Sequence, residues 1–338
     1  MYTKNKVICL LFLLTTTFAF GNRSFLTDGE VVTKDVKDTY VYVGKSGGST
    51  SVNLIVDNDV SFTVSDYLFI YQGSSITFRG GNNVTAGTIS VRKNSSLYAE
   101  NSVFNAKFSF MEDGGNMTLK NCTATLTEFH VSDNVRANIT LDGTKLTTKK
   151  MSGHAGTVGS VDGNYNLTLK NGSSFEVTSA ESYGFNVGGN LFIESGSSMK
   201  VNSYLVSGCD IVVGSGASLK AGDKIITDKT LTVASDATIS ASGFNFGKLT
   251  ITFDEDFTAD SDVSFNLEDI FGDQAGMVLS ALESGTDFTV SGNNGEFSAS
   301  IDGGTIHIDT QVIPEPSTMA VIFGIFALGF AVYRKRSK

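Results

Sequence analysis

The side chains that most often bind metals or catalyse reactions are few in this chain and widely separated. The three histidines are His130, His154 and His307, and neither a His-x-x-x-His nor a Cys-x-x-Cys motif occurs. Metal sites and nucleophile–base pairs need several such groups at defined spacings. The sequence therefore predicts no catalytic residue, no metal site and no cofactor.

One glycine-rich stretch matches the frame of two known catalytic or binding motifs. Gly44-Lys45-Ser46-Gly47-Gly48 fits a G-x-S-x-G serine frame and also the end of a phosphate-binding loop. The phosphate loop requires a glycine where Thr39 stands. The serine frame requires a strand-to-helix turn, and no helical pattern follows. We interpret the stretch as a turn.

A second candidate is a basic, glycine-rich segment in which the regular spacing of the chain breaks, between Asp142 and Asn164. Segments that leave a repeat array often form its binding surface. We therefore predict a binding loop here, with an ordinary surface loop as the alternative. Its candidate ligand-contacting residues are Lys145, Lys149, Lys150 and His154.

The strands that would position these residues are predicted from a short sequence pattern that occurs three times. Leu191-x-Ile193, Ile211-x-Val213 and Leu231-x-Val233 start twenty residues apart, and each is followed by small polar residues and a second apolar pair. Apolar residues two apart lie on one side of an extended chain. A unit of this size cannot bury its own apolar side and must stack on the next unit. The pattern predicts that residues 191, 211 and 231 are neighbours in space.

The same pattern extends over most of the chain and predicts an all-β fold, a right-handed parallel β-helix of about ten coils over residues 51–247. A third apolar position in many coils predicts three faces per coil. Residues 22–50 are expected to form an N-terminal cap and residues 248–312 a C-terminal β cap, with a short helix within 267–283 and a closing hairpin. Cys122 and Cys209 would lie about four coils apart, too far for a disulfide.

Asparagine recurs at the predicted corners of the coils. Asn tolerates left-handed backbone angles, and its amide can stack on the coil above. Several of these residues stand in Asn-x-Ser/Thr frames, which we attribute to the Asn, Ser and Thr content of turns rather than to glycan attachment. The corner residues are Asn82, Asn83, Asn94, Asn101, Asn121, Asn171 and Asn202.

The overall charge excludes one class of partner. The chain of 338 residues has a formal net charge of −10, and part of its basic content lies at the two ends. An acidic body has no electrostatic attraction for nucleic acid or anionic lipid. We predict no nucleic-acid partner.

The two ends indicate export and membrane attachment. Lys4 and Lys6 precede an apolar run that ends at Ala19-x-Gly21, which predicts a signal peptide over residues 1–21. At the other end, residues 313–338 hold both prolines of the chain, an apolar run with a predicted transmembrane helix over 318–333, and a basic terminus. Arg334, Lys335 and Arg336 would stop transfer and stay cytoplasmic.

This tail resembles the PEP-CTERM sorting signal of bacterial surface proteins. The resemblance rests on Pro314, Glu315 and Pro316, on the apolar span Met319 to Val332, and on the basic cluster after it, about 26 residues in all. It implies recognition by an exosortase-like membrane enzyme in bacteria that export polysaccharide. The coil body is also similar to β-helical autotransporter passengers and adhesins, on periodicity alone.

Together these patterns predict an exported, tail-anchored structural or adhesive surface protein associated with extracellular polysaccharide. The alternative is a polysaccharide lyase or hydrolase on the same scaffold, which would need a basic residue or paired carboxylates on one exposed face. The sequence lacks Trp, the best sugar-stacking side chain, but has ten Tyr. Carboxylates or basic groups gathered in a groove beside the 142–164 segment would favour the enzyme.

Overall fold

Parallel pairing of successive coils defines the architecture. The computed structural model describes residues 21–48, 50–131, 136–152, 165–179, 185–257, 264–302 and 305–312. Within these residues, Leu191 pairs with Ile211 and Ile211 with Leu231, all in parallel register. The predicted neighbours are therefore in contact, and the all-β parallel solenoid of about ten coils is confirmed.

Each coil contributes three strand segments, which we name faces 1, 2 and 3 in chain order. In one complete coil these are Ile211–Val213, Ser218–Ala221 and the start of the strand Lys224–Ala234. Face 1 comprises β2 (Val31–Val32), β4 (Asn53–Val56), β6 (Ser75–Phe78), β8 (Ser96–Glu100), β10 (Asn116–Lys120), β12 (Asn138–Asp142), β14 (Asn166–Lys170), β17 (Leu191–Ile193) and β20 (Ile211–Val213).

Longer strands supply faces 2 and 3 together in the first half of the solenoid. These strands are β3 (Val36–Val43), β5 (Ser61–Ile70), β7 (Asn83–Val91), β9 (Val103–Met111), β11 (Thr123–Val131) and β13 (Lys145–Ser152), and β1 (Asn22–Phe25) adds to face 3. Later, face 2 comprises β15 (Ser174–Val177), β18 (Ser198–Val201), β21 (Ser218–Ala221) and β23 (Thr238–Ser240). Face 3 then comprises β16 (Phe185–Val187) and β19 (Leu205–Ser207), while β22 (Lys224–Ala234) and β24 (Gly243–Thr252) run from face 3 onto face 1.

The core is a set of apolar columns that run along the solenoid axis. On face 1, Leu191, Ile211 and Leu231 follow one another in register, and all three have no exposed surface. Full burial of such a side chain stabilises the fold by about 1.5–3 kcal/mol. Because the column continues from coil to coil, each coil is buried mainly by its two neighbours.

Asparagine plays both of the roles predicted at the corners. Asn94, Asn101, Asn121 and Asn171 have φ between 48° and 54°, the left-handed region that Asn tolerates better than most residues. At other corners the amide joins coils instead. The Oδ1 of Asn82 accepts from the backbone N–H of Val60 at 3.0 Å.

The parallel stack extends further at both ends than the sequence predicted. Residues expected to cap the N-terminus form coil strands, since β1 pairs in parallel with β3 and β3 with β5. At the other end, β24 crosses the expected boundary at residue 247 and pairs in parallel with β26 (Asp287–Gly292). Cap and coil look alike in sequence here because both are short alternating strands.

An insertion and a hairpin follow β24. The insertion contains β25 (Ser264–Asn266), helix α1 (Leu267–Phe271), a 3-10 turn (Gly272–Gln274) and helix α2 (Ala275–Glu283). After β26, pairing becomes antiparallel through β27 (Gly295–Asp302) and β28 (Thr305–Val312). The predicted short helix and closing hairpin are thus present.

Several predictions concern residues that the structure does not describe. These are the signal peptide before Gly21, His154, and the whole tail with Pro314, Glu315, Pro316, Arg334, Lys335 and Arg336. In the described ranges, no helix has the length and apolarity needed to cross a bilayer. The handedness of the solenoid stays a prediction.

Candidate functional site

The predicted basic loop is in large part a strand of the solenoid. Lys145, Lys149 and Lys150 all belong to β13, whose first half pairs with β11 on one side and β15 on the other. The interpretation of these three residues as a loop was wrong. Thr148 stands buried where the neighbouring strand β11 has Leu126, and this polar residue at an inward position obscured the alternation of β13 in the sequence.

Lys149 and Lys150, but not Lys145, line a shallow cavity where β13 turns from face 2 to face 3. The cavity has a volume of about 390 Å³ and is lined by Thr127, Lys149, Lys150, Thr178 and Ser179. The ammonium of Lys150 lies 3.3 Å from the carboxylate of Glu128 on the preceding coil. Lys149 is exposed. The cavity therefore presents one basic group together with hydroxyl groups.

A ladder of alternating charge runs along the end of face 1. The ammonium of Lys120 lies 2.9 Å from the Glu100 carboxylate, and that of Lys170 lies 3.5 Å from the Asp142 carboxylate. Lys120 and Asp142 are register partners, so the four residues form one series across four coils. We name Glu100, Lys120, Asp142 and Lys170 the charge ladder.

The charge ladder holds its carboxylates in the ionised form. The hydrogen bond from Lys120 lowers the pKa of Glu100, and the same contact raises the pKa of Lys120. The Asn171 amide donates to Asp142 at 2.6 Å and is the main reason that the pKa of Asp142 is lowered. Carboxylates held in this way join coils and are poor general acids.

A second ladder, of amides, runs along the other end of face 1. Asn138 donates from Nδ2 to Oδ1 of Asn116 at 3.0 Å, and Asn166 does the same to Asn138 at 3.1 Å. The backbone N–H of Asn190 then donates to Oδ1 of Asn166 at 3.0 Å. Asn116, Asn138 and Asn166 each stand in an Asn-x-Ser/Thr frame, and their side-chain amides join neighbouring coils.

Face 3 carries a different outward surface, which we name the aromatic array. It consists of Tyr40 and Tyr42 on β3, Tyr67 and Phe69 on β5, and Tyr71 directly after β5. Across the two coils, the ring centroids of Tyr40 and Tyr67 lie 6.1 Å apart and those of Tyr42 and Phe69 lie 5.6 Å apart. Along β5 the centroid spacings are 4.9 Å and then 5.7 Å.

The rings of the array are mutually parallel because the strands beneath them are fixed. Neighbouring ring planes differ by between 1° and 8°. The residues between them along the strands, Leu68, Ile70 and Val41 among them, have no exposed surface. Alternation along a strand therefore directs the aromatic rings outward.

Polar groups border the array. The guanidinium carbon of Arg92 lies 5.2 Å from the centroid of Phe69, and the guanidinium is paired with Glu112. A hydrogen bond with the Asp66 carboxylate is the main reason that the pKa of Tyr40 is raised, and burial raises that of Tyr71. These phenols stay protonated at neutral pH, so their O–H groups can donate as well as accept hydrogen bonds.

The aromatic array was not predicted from the sequence. The signal was present in Tyr40-Val41-Tyr42-Val43 and Tyr67-Leu68-Phe69-Ile70-Tyr71, in which aromatic residues alternate with buried aliphatic residues. What the sequence does not contain is the pairing that places Tyr67 beside Tyr40.

The remaining chemical candidates stay apart in the structure. Cys122 and Cys209 are both free thiols, as their predicted separation required, and burial raises the pKa of Cys122. Among the described residues, no three His, Cys, Asp or Glu side chains gather closely enough to hold a metal ion.

Comparison with known proteins assigns no family, since no family model, no curated protein and no solved structure matches this chain.

Proposed function

We propose that this chain is an exported structural or adhesive surface protein whose solenoid is a rigid rod associated with extracellular polysaccharide. The observation that carries the proposal is the coil-to-coil pairing of outward side chains in the charge ladder and in the amide ladder. Polar outward groups in an enzyme cleft are left available for a substrate. In this chain the outward polar groups of the two ladders bind to each other across neighbouring coils, which is the arrangement expected of a structural rod.

The finer features of the rod belong to the same proposal. We take the solenoid to be right-handed, because crossovers between parallel strands are right-handed in nearly all proteins. The segment after β24 closes the C-terminal end of the rod. Its support is the packing of Phe271 in α1 against Phe244, with ring centroids 5.5 Å apart.

The route to the surface rests on the sequence of the two ends. A signal peptide at 1–21 would direct export, and the PEP-CTERM-like tail would hold the body to the membrane until an exosortase-like enzyme acts on it. Mass spectrometry of the protein recovered from the producing bacterium tests this. A mature chain ending near Pro314–Pro316 is expected, whereas a chain that still ends in Lys338 would argue against processing.

The cavity beside Lys149 favours a second candidate, a polysaccharide lyase. A lyase needs a base that removes the proton next to a sugar carboxylate, and a lysine in a hydroxyl-lined cavity could serve. The test is to incubate the purified chain with acidic polysaccharides and to follow the unsaturated product by ultraviolet absorbance. Activity that Lys149→Ala abolishes and Lys220→Ala leaves unchanged would replace the structural proposal.

A further inference from the structure

We propose that Tyr40 and Tyr67 are the site of an oxidative cross-link, a dityrosine bond that joins two neighbouring coils of the solenoid. The inference rests on the packing of the aromatic array, whose five rings stack on one another. It concerns a modification of the chain itself and does not depend on the polysaccharide association proposed above.

Strand pairing holds the two phenol rings beside each other. Tyr40 on β3 and Tyr67 on β5 are register partners, and neighbouring strands of a sheet lie about 4.8 Å apart. The two ring centroids lie 6.1 Å apart, and the ring planes differ by 3°. Val41 and Leu68, which follow the two tyrosines, have no exposed surface and anchor both strands in the core. The fold therefore brings together two reacting groups that would otherwise have to meet by diffusion.

The other phenols of the array are placed less favourably. The register partner of Tyr42 is Phe69, which has no phenol group. The ring of Phe69 also stands between Tyr67 and Tyr71 along β5, with centroids 4.9 Å and 5.7 Å away. Tyr42 and Tyr71 have centroids 6.0 Å apart but lie diagonally across the two strands. Among the five array residues, Tyr40 and Tyr67 are the two phenols that are paired in register.

A carboxylate beside the pair assists the removal of an electron. The phenol of Tyr40 donates a hydrogen bond to Asp66 on β5, and this bond is the main reason that the pKa of Tyr40 is raised. A phenol loses an electron more readily when a neighbouring base accepts its proton, because a positively charged radical is avoided. Tyr67 is 36% exposed, so a soluble oxidant reaches the second ring from the solvent.

The oxidant that the step requires is hydrogen peroxide acting through a haem peroxidase. Each phenol loses one electron and one proton and becomes a phenoxyl radical. A carbon–carbon bond then forms between the ring carbons next to the two phenol oxygens. The hydrogen on each of these carbons moves to the oxygen as a proton, which restores both phenols. One hydrogen peroxide is reduced to two water molecules, and the chain becomes lighter by two hydrogen atoms.

The bond would fasten the N-terminal end of the solenoid. It joins β3 to β5, and face 3 ends at β1, only one strand beyond β3. Coils near an end have fewer neighbours to bury them than coils in the middle of the stack. A covalent link that closes the chain from Tyr40 to Tyr67 into a loop also restricts the unfolded state. The linked chain should therefore unfold at a higher temperature than the unlinked chain.

The test treats the purified full-length chain, kept in detergent, with a haem peroxidase and hydrogen peroxide at two protein concentrations. Denaturing gels separate the monomer from linked dimers, and the fluorescence of dityrosine is measured in each band. Mass spectrometry of proteolytic peptides identifies the linked residues through the loss of two hydrogen atoms. Thermal unfolding followed by circular dichroism compares the chain before and after treatment.

The variants are Tyr40→Phe and Tyr67→Phe, each of which keeps the ring in the stack and removes only the phenol oxygen. The matched control is Tyr98→Phe on face 1. Tyr98 is also partly exposed, and its phenol also bonds to a carboxylate, that of Glu100, at 3.2 Å. Its register partners on the two neighbouring coils are threonines, so no second phenol faces it. Circular dichroism of the untreated variants confirms that each is folded.

We expect dityrosine in the monomer band of the wild type, with a yield that does not change with protein concentration. The linked peptides should contain Tyr40 and Tyr67, and the unfolding temperature should rise by several degrees. The monomer signal should be lost in Tyr40→Phe and in Tyr67→Phe and be retained in Tyr98→Phe.

Three results would overturn the proposal. Dityrosine that is absent, or present only in linked dimers, would refute a bond within one chain. A link that maps to Tyr42 and Tyr71, or a monomer signal that survives in Tyr40→Phe, would refute the assigned pair. An unfolding temperature that stays the same after the link has formed would refute its role in fastening the end of the solenoid.

Discussion

Asp142 lies between two lysines of neighbouring coils, and this placement gives the charge ladder a measurable pH dependence. Its folded-state pKa is depressed by Asn171 and by Lys170. A depressed carboxyl pKa contributes stability that is present above the unfolded-state pKa and is lost as the pH falls through the folded-state pKa. The stability that Asp142 contributes should therefore be present at neutral pH and be lost at acid pH.

We predict that Asp142→Asn lowers the free energy of unfolding at neutral pH by about 1 kcal/mol, because it removes the ion pair and weakens the contact with Asn171. The deficit should shrink towards acid pH, where the wild type loses the same contribution. Urea denaturation at several pH values measures it. Asp256→Asn, at an exposed carboxylate outside the charge ladder, serves as the control, and a deficit that is constant with pH would contradict the mechanism.

A corner asparagine gives a second prediction at this scale. Asn101 has φ 48°, a conformation that costs an ordinary L-residue about 1–2 kcal/mol and costs glycine little. Asn101→Ala should therefore lower the free energy of unfolding by about 1 kcal/mol, whereas Asn101→Gly should stay close to wild type. Thermal melts of both variants provide the comparison. Equal losses in Ala and Gly would mean that the side chain, not the backbone angle, matters.

At the scale of the strand, burial alternates so sharply that two adjacent residues should respond very differently to the same truncation. Ile211 on β20 has no exposed surface and contacts Leu191 and Leu231, whereas its neighbour Val212 is partly exposed. Ile211→Ala should cost about 2–5 kcal/mol, because a cavity remains between two coils. Val212→Ala should cost about 0.5 kcal/mol. Denaturant midpoints measure the loss of stability in both variants. Similar losses would contradict the assignment of Ile211 as an inward residue and Val212 as an outward residue.

The whole molecule is a one-dimensional stack in which each coil is buried mainly by its neighbours. Stability in such a stack is close to a sum of coil terms and nearest-neighbour terms. A local defect should therefore weaken the coils beside it and leave distant coils protected.

We predict this gradient for Ile211→Ala. Hydrogen exchange should accelerate in β17 and β20 and in the second half of β22, while β6 and β8 near the N-terminus keep wild-type protection. Peptide-level mass spectrometry measures both regions in one experiment, and the wild-type chain is the reference. Uniform loss of protection along the chain would show that the solenoid unfolds as a single cooperative unit.

The kind of fold could be predicted from the amino-acid sequence. The alternation of apolar and polar residues marks each strand in the sequence. The twenty-residue spacing of Leu191, Ile211 and Leu231 indicates that these strands stack on one another, coil on coil. The free cysteines and the corner asparagines follow from the same geometry. Local patterns are enough to predict the fold here, because every coil buries its apolar side in the same way against the neighbouring coils.

Which outward residues contact each other became known from the folded structure and not from the sequence. Coils differ in length, so Ile139 pairs with Leu167 while Leu231 pairs with Leu249, and register cannot be counted along the chain. A coil that is longer or shorter keeps its apolar side buried but moves its outward side chains relative to the next coil. For this reason the meeting of Tyr40 with Tyr67, and of Asp142 with Lys170, was not visible in the sequence.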